Sequence, residues 1–121
     1  MARVIDKAPR KIISVDFYKQ GNGREPVREW LKSLKKEERR IIGEDIKMVQ
    51  TGWPLGMPLV CNLGKGLWEI RCTLLNTIAR ILFIMHEGRM MLLHGFIKKT
   101  QKTPQQDLET ASARAKEIKR G

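Results

Sequence analysis

The chain has 121 residues, of which 41% are hydrophobic, and 24 Lys and Arg stand against 13 Asp and Glu for a formal net charge of +11. The hydrophobic share excludes a disordered tail, and the length implies one domain, residues 1–121, with a modest core of its own. No apolar run is long enough to span a bilayer, and the charge excess opposes folding by self-repulsion, so a polyanionic or acidic partner is expected.

Residues 1–10 read as a loosely held lead-in. The opening Met1-Ala2-Arg3-Val4-Ile5-Asp6-Lys7 lacks the apolar stretch and cleavage site of a signal peptide, so a cytoplasmic location and no membrane partner are expected. From Lys11 to Tyr18, Ile13, Val15 and Phe17 alternate with polar neighbours, which predicts a first strand. Gln20-Gly21-Asn22-Gly23 is a turn. Pro26 suits the first position of a helix, and Val27, Trp30, Leu31 and Leu34 then fall on one apolar stripe. A second helix is predicted from Lys36 to Gln50, with Ile41, Ile42, Ile46 and Val49 facing inward. Glu37 and Glu38 sit in its first turn, where negative charge is favoured. Thr51-Gly52 ends it, with Pro54 just beyond.

Residues 52–66 are rich in Gly and Pro and read as a loop. Three strands are predicted next, Leu67–Leu74, Thr77–His86 and Arg89–Lys98, with Glu87-Gly88 in a tight hairpin between the last two. The middle strand is apolar on both faces, which predicts a central position in its sheet. A last helix begins with Thr103 as N-cap, Pro104 in the first helical position and Gln106 completing a capping box. Its apolar stripe of Leu108, Ala111, Ala115 and Ile118 is narrow. The expected fold is α+β, in the order β-α-α-β-β-β-α. It has a small, mostly antiparallel sheet, two N-terminal helices packed on it and a C-terminal helix, with the helices on one sheet face.

Cys61 and Cys72 are the only cysteines. Together with His86 and His94 they show no CxxC or HxxxH spacing, so neither a metal nor another cofactor is expected. The cysteines read as buried, reduced thiols.

Three stretches carry candidate chemistry: Gly66-Leu67-Trp68-Glu69-Ile70-Arg71, Ala79-Arg80-Ile81-Leu82-Phe83, and the run from His94 to Pro104. With the element order, they resemble the phage-derived Gp49-like, HigB-type branch of the RelE/HigB toxin superfamily. The resemblance covers nearly the whole chain, and the run from His94 to Pro104 is its most specific part. It implies a RelE-like fold and a type II toxin that cuts messenger RNA on the ribosome and so inhibits translation. It also implies a small helix-turn-helix, HigA-type antitoxin as partner, beside the ribosome and mRNA.

RNA carries its own nucleophile, the 2′-OH. An endoribonuclease need only align that group with the phosphate, remove a proton, stabilise the phosphorane oxygens and protonate the leaving oxygen. Arg71 and Arg80 come from neighbouring strands and suit phosphate stabilisation, because a guanidinium stays charged and presents a planar fork. Lys98 or Lys99 should join them. A two-residue turn at Glu87-Gly88 puts Gly95 opposite Arg80 and Lys99 on the face of Arg80; one extra loop residue puts Lys98 and His94 there instead. For the general base, His94 has a suitable intrinsic pKa, and Glu69 lies on the strand face of Arg71.

Some related toxins carry a tyrosine near the start of the final helix. This chain has only Tyr18, far away in sequence, which points to an enzyme dominated by positioning. Lys65 and Lys102 add cations for the RNA backbone, and Trp53, Trp68 and Phe96 are candidates for stacking on bases. Core packing is the stronger reading for Trp68 and Phe96. The residues alone favour Arg71 and Arg80 as sheet-face residues paired with Glu69 or another carboxylate; the resemblance turns the balance toward function. Two other functions stay open: a ParE-like toxin that inhibits gyrase, and a degenerate domain that only binds nucleic acid or its partner.

Overall fold

The computed structural model describes residues 12–98 and 102–121. The lead-in of residues 1–10, the first residue of the predicted strand, Lys11, and one candidate cation, Lys99, lie outside them. The described elements are β1 (Ser14–Phe17), α1 (Pro26–Lys32), α2 (Lys36–Gly52), β2 (Val60–Gly64), β3 (Leu67–Thr73), β4 (Ile78–His86), β5 (Arg89–Lys98) and α3 (Gln105–Arg120). The architecture is α+β.

The strands form one sheet in the order β1-β5-β4-β3-β2, with β1 parallel to β5 and every other pair antiparallel. Strand β4 is central, as its unbroken apolar run requires; Ala79 to Ile84 are all buried. Strand β2 departs from the sequence reading. Residues 52–66 do contain breakers, but Val60 to Gly64 lies beyond Pro58 and pairs with β3. A bulge between Asn62 and Gly64 hid the alternation, and the Asn62 side-chain carbonyl accepts the Gly64 N–H at 2.9 Å to close the turn.

Helices cover both faces of the sheet, not one. On the first face, Val27, Ile42, Ile46 and Val49 of α1 and α2 pack on Ile70, Cys72, Ala79, Ile81, Phe83, Met90 and Leu92. On the second, Ala111 and Ala115 of α3 pack on Leu67, Leu82, Ile84, Met91 and Leu93. A narrow stripe of small residues is enough for α3 because it lies close against β4 and β5. Polar ties hold its far end: the Tyr18 hydroxyl donates to Glu117 at 2.9 Å, and the Arg114 guanidinium donates to the Leu93 carbonyl at 2.8 Å. Among the described residues, no helix is long and apolar enough to cross a membrane.

The register of β4 and β5 decides which side chains can meet. Glu87 and Gly88 form the two-residue turn, both with positive φ (53° and 78°), and His86 pairs with Arg89. Parity does not survive to the strand ends, however. Phe83 pairs with Leu92 but Leu82 pairs with His94, so Leu93 is an extra residue in β5. Beyond this bulge Arg80 faces Phe96 and Ile78 faces Lys98. The short turn and the Lys98 register, alternatives in the sequence, therefore occur together.

Gly95 sits beyond the bulge on the first face, opposite Ile81. A Cβ there would lie under 3.0 Å from the Trp30 ring of α1. The glycine lets α1 lie directly on β5, where its contacts are concentrated. Gly95→Ala is expected to cost about 1–3 kcal/mol through overpacking. Gly43→Ala, on a helix position with open space around it, should instead be neutral or gain up to about 1 kcal/mol. Denaturant unfolding of the two variants checks the contrast; equal effects would mean that Trp30 yields freely.

Candidate functional site

The second face gathers most of the polar residues singled out in the sequence. Two cross-strand rows build it. Arg71 pairs with Arg80, which pairs with Phe96; Glu69 pairs with Leu82, which pairs with His94. A third row, Thr73, Ile78 and Lys98, lies at the end of the sheet. Residues opposite one another in a pleated sheet share a face, so these rows put Glu69, Arg71, Arg80, His94, Phe96 and Lys98 together.

Glu69 is the centre of this arrangement and is completely buried. Its Oε1 accepts from the Arg71 Nε at 2.7 Å, and its Oε2 accepts from the Thr103 hydroxyl at 2.8 Å. The Arg80 Nη1 stands 3.9 Å from Oε2 as an ion pair. Among the described residues, two guanidinium charges stand against one carboxylate in this cluster. Both Glu69 oxygens are engaged, so the carboxylate anchors the arginines and is badly placed to act as a base.

The two arginines differ in access. The Arg71 side chain is 17% exposed, whereas Arg80 is 0% exposed. Arg71 can meet a phosphate at the surface. Arg80 has no surface to offer such a ligand and faces Glu69 instead. Lys98 is exposed at the end of β5. Lys102 is exposed in the segment that leads to α3 and has interaction partners of its own.

Thr103 does not cap α3. Pro104 holds the N-cap position with no side-chain capping bond, and the Thr103 hydroxyl goes to Glu69 instead. The expected capping box with Gln106 is therefore not formed. The Thr-Pro pair ties the start of α3 to the buried carboxylate, a long-range role that a local cap pattern conceals.

His94 is 20% exposed, and its Nε2 lies 2.6 Å from the Asp107 Oδ1 in the first turn of α3. Asp107 carried no signal of its own in the sequence, because an acidic residue there also complements the helix dipole. A neutral His94 that donates from Nε2 leaves Nδ1 as its acceptor. This is the orienting arrangement that a histidine base requires. The imidazole also stacks on the Phe96 ring, with centroids 5.6 Å apart and planes 29° apart.

The aromatic candidates are not placed to stack on bases beside the arginines. Phe96 is buried in the second-face core. Trp53 and Trp68 meet edge to face at 4.9 Å on the opposite side of the sheet, and Trp53 also packs on Phe83 at 5.6 Å. Lys65 lies in the turn between β2 and β3, beyond Leu67 and away from the arginine end of that strand. Tyr18 reaches the second face but bonds Glu117 near the far end of α3, so it does not stand in for the tyrosine of some related toxins.

A family profile described as phage-derived protein Gp49-like matches residues 29–116, from α1 to α3. The chain belongs to that family. No curated protein matches it significantly in sequence.

Removing one partner of a buried ionic cluster leaves the rest uncompensated. Glu69→Ala is therefore expected to cost about 3–5 kcal/mol in denaturant unfolding. Thr103→Val should cost less, about 1–3 kcal/mol, because the arginines still hold the carboxylate. Equal losses would remove Glu69 from the centre of the network.

Tyr18 supplies a pH test. Burial first, then the Glu117 hydrogen bond and charge, raise its phenol above the ordinary value, against a lowering by Arg114. The fold favours the protonated phenol. Its contribution is full below about pH 10 and is lost as pH rises through the raised folded value. Tyr18→Phe should lower stability near neutrality by about 1 kcal/mol and flatten its fall above pH 10; an unchanged alkaline slope would contradict this.

Proposed function

We propose that the protein is a toxin of the RelE/HigB type, a metal-independent mRNA endonuclease that works on the ribosome and is held silent by a small helix-turn-helix antitoxin. Membership of the Gp49-like family supports a toxin-like protein. The observation that carries the nuclease reading is the second face itself, where the cluster of Arg71, Arg80 and Glu69 on β3 and β4 shares a face with an oriented His94–Asp107 pair on β5 and α3.

In this reading Arg71 and Lys98 meet the scissile phosphate and stabilise the charge that develops on its oxygens. Arg80 and Glu69 are positioning residues that hold the Arg71 fork. His94 takes the 2′-OH proton, and Asp107 fixes its ring. The 2′-oxygen attacks phosphorus as the bond to the 5′-oxygen breaks. The leaving 5′-oxygen takes a proton from water, and the products carry a 2′,3′-cyclic phosphate and a 5′-hydroxyl. The ribosome aligns the message, which suits a site whose own base is only partly exposed. Such a protein works in the cytoplasm.

One observation favours a second reading, a degenerate toxin that only binds: Arg80 has no exposed surface and both Glu69 oxygens are committed. The test is to express the wild type, Arg71→Ala and Asp107→Asn, and to map transcript 5′ ends. Arg71→Ala is cleaner than Arg80→Ala, which removes a fully buried side chain. The nuclease reading expects new ends inside translated codons with the wild type. It expects their loss with folded Arg71→Ala, and a reduction of about tenfold or more with Asp107→Asn. Growth arrest with intact transcripts would move the reading to gyrase inhibition or another binding function. Neither arrest nor cleavage would leave the degenerate toxin.

A further inference from the structure

On the β2 side of α3, outside the cation cluster, a groove of about 430 Å³ runs between the helix and the β2–β3 hairpin. Its floor includes Leu67, Ile84 and Leu108, and Lys65, Lys116 and Lys119 stand around it. Glu69, Arg71, Arg80, His94, Phe96 and Lys98 do not line it.

Three arginines on or just before α1 and α2 are paired, Arg24 with Glu29, Arg28 with Glu25, and Arg40 with both Glu37 and Glu44, whereas Lys36 and Lys47 of α2 form no ion pair among the described residues. Around the groove, all three lysines are exposed and none forms an ion pair among the described residues. The Lys119 Nζ comes within 4.0 Å of where a Gly66 Cβ would stand, so it leans over the turn that carries Lys65. Like charges are thus collected around an apolar floor, with no acidic residue in its lining among the described residues.

The lining separates two classes of occupant. Single-stranded RNA is held by aromatic faces for its bases and cations for its backbone. Among the described residues, no aromatic and no acidic side chain lines this groove. An aliphatic floor under a lysine rim instead complements a peptide that places Leu, Ile or Phe downward and carboxylates to the sides.

We propose that this groove docks an acidic, amphipathic segment of a protein partner. The proposal rests on the reading above that the chain has such a partner, and adds where and by what chemistry it is held. Because the groove lies outside the cation cluster, docking there and loss of nuclease function are separable by mutation.

The probe is a random-peptide library displayed on phage and selected on the full chain. Enriched peptides are then measured by fluorescence anisotropy on the wild type, on Lys116→Glu/Lys119→Glu, and on Lys36→Glu/Lys47→Glu. The last variant makes the same charge change on α2. The expected result is a set of acidic peptides with interspersed apolar residues, bound about tenfold or more weakly by Lys116→Glu/Lys119→Glu and unchanged by the α2 variant. Peptides bound equally by all three proteins would overturn the groove as the site while leaving a protein partner intact. A library that yields no acidic binders would overturn the partner chemistry as well. Binding of a single-stranded oligouridine, lost with the groove variant alone, would reassign the surface to nucleic acid. Peptides that bind Arg71→Ala as tightly as the wild type are expected; their loss with that variant would contradict the separation from the cation cluster.

Discussion

A carboxylate with no access to water organises the second face of this protein. Burying Glu69 alone would be prohibitive, so its position demands positive partners and hydrogen-bond donors around it. Arg71, Arg80 and Thr103 meet that demand from β3, from β4 and from the approach to α3. The same group therefore fixes the orientation of two guanidinium groups and ties the start of the last helix to the sheet. Once α3 is anchored there, Asp107 falls within hydrogen-bond reach of His94. Such a cluster is a poor way to gain stability, since desolvation offsets most of its Coulombic attraction. An apolar sheet face under α3 would serve the fold as well.

Much of the fold was legible in the sequence because its patterns are local. The stripes of α1 and α2, the apolar run of β4 and the Glu87-Gly88 turn each follow from neighbouring residues, and each is present. Strand β2 was not legible, since two prolines and several glycines mask a short pairing segment that only β3 completes. Nor was the division of helices between two faces. The stripe of α3 says that it packs, but not on which side of the sheet. The face of the lysine depended on a bulge at Leu93, which no local pattern announces. Gly95 is the sequence trace of that region, since only a residue without a Cβ allows Trp30 to lie on β5.

The candidate site was legible in part for the same reason. Glu69 and Arg71 are two residues apart in one strand and must share a face, and Arg80 needed only an ordinary antiparallel register to join them. The roles within the cluster were hidden, because they depend on what α3 brings. Thr103 resembled a cap and Asp107 a dipole complement, and both instead reach across to the sheet. The tryptophans misled in the opposite sense. An aromatic on a loop suggests stacking, but Trp53 folds back on Trp68 and Phe83, where the first-face core requires it. Charge alone also misled, for Arg24, Arg28 and Arg40 are neutralised by nearby glutamates.

In the proposed function the buried polar cluster serves the site rather than the fold. Its most direct test replaces the cluster by apolar residues of similar size, Glu69→Leu with Arg80→Met and Thr103→Val, and measures stability and growth arrest on the same protein. Stability within about 1 kcal/mol of the wild type or above it is expected, together with loss of growth arrest and of transcript cleavage. A well-folded apolar variant that still arrests growth and cuts message at the wild-type level would contradict that expectation, and would make Glu69 and its arginines a structural cluster only.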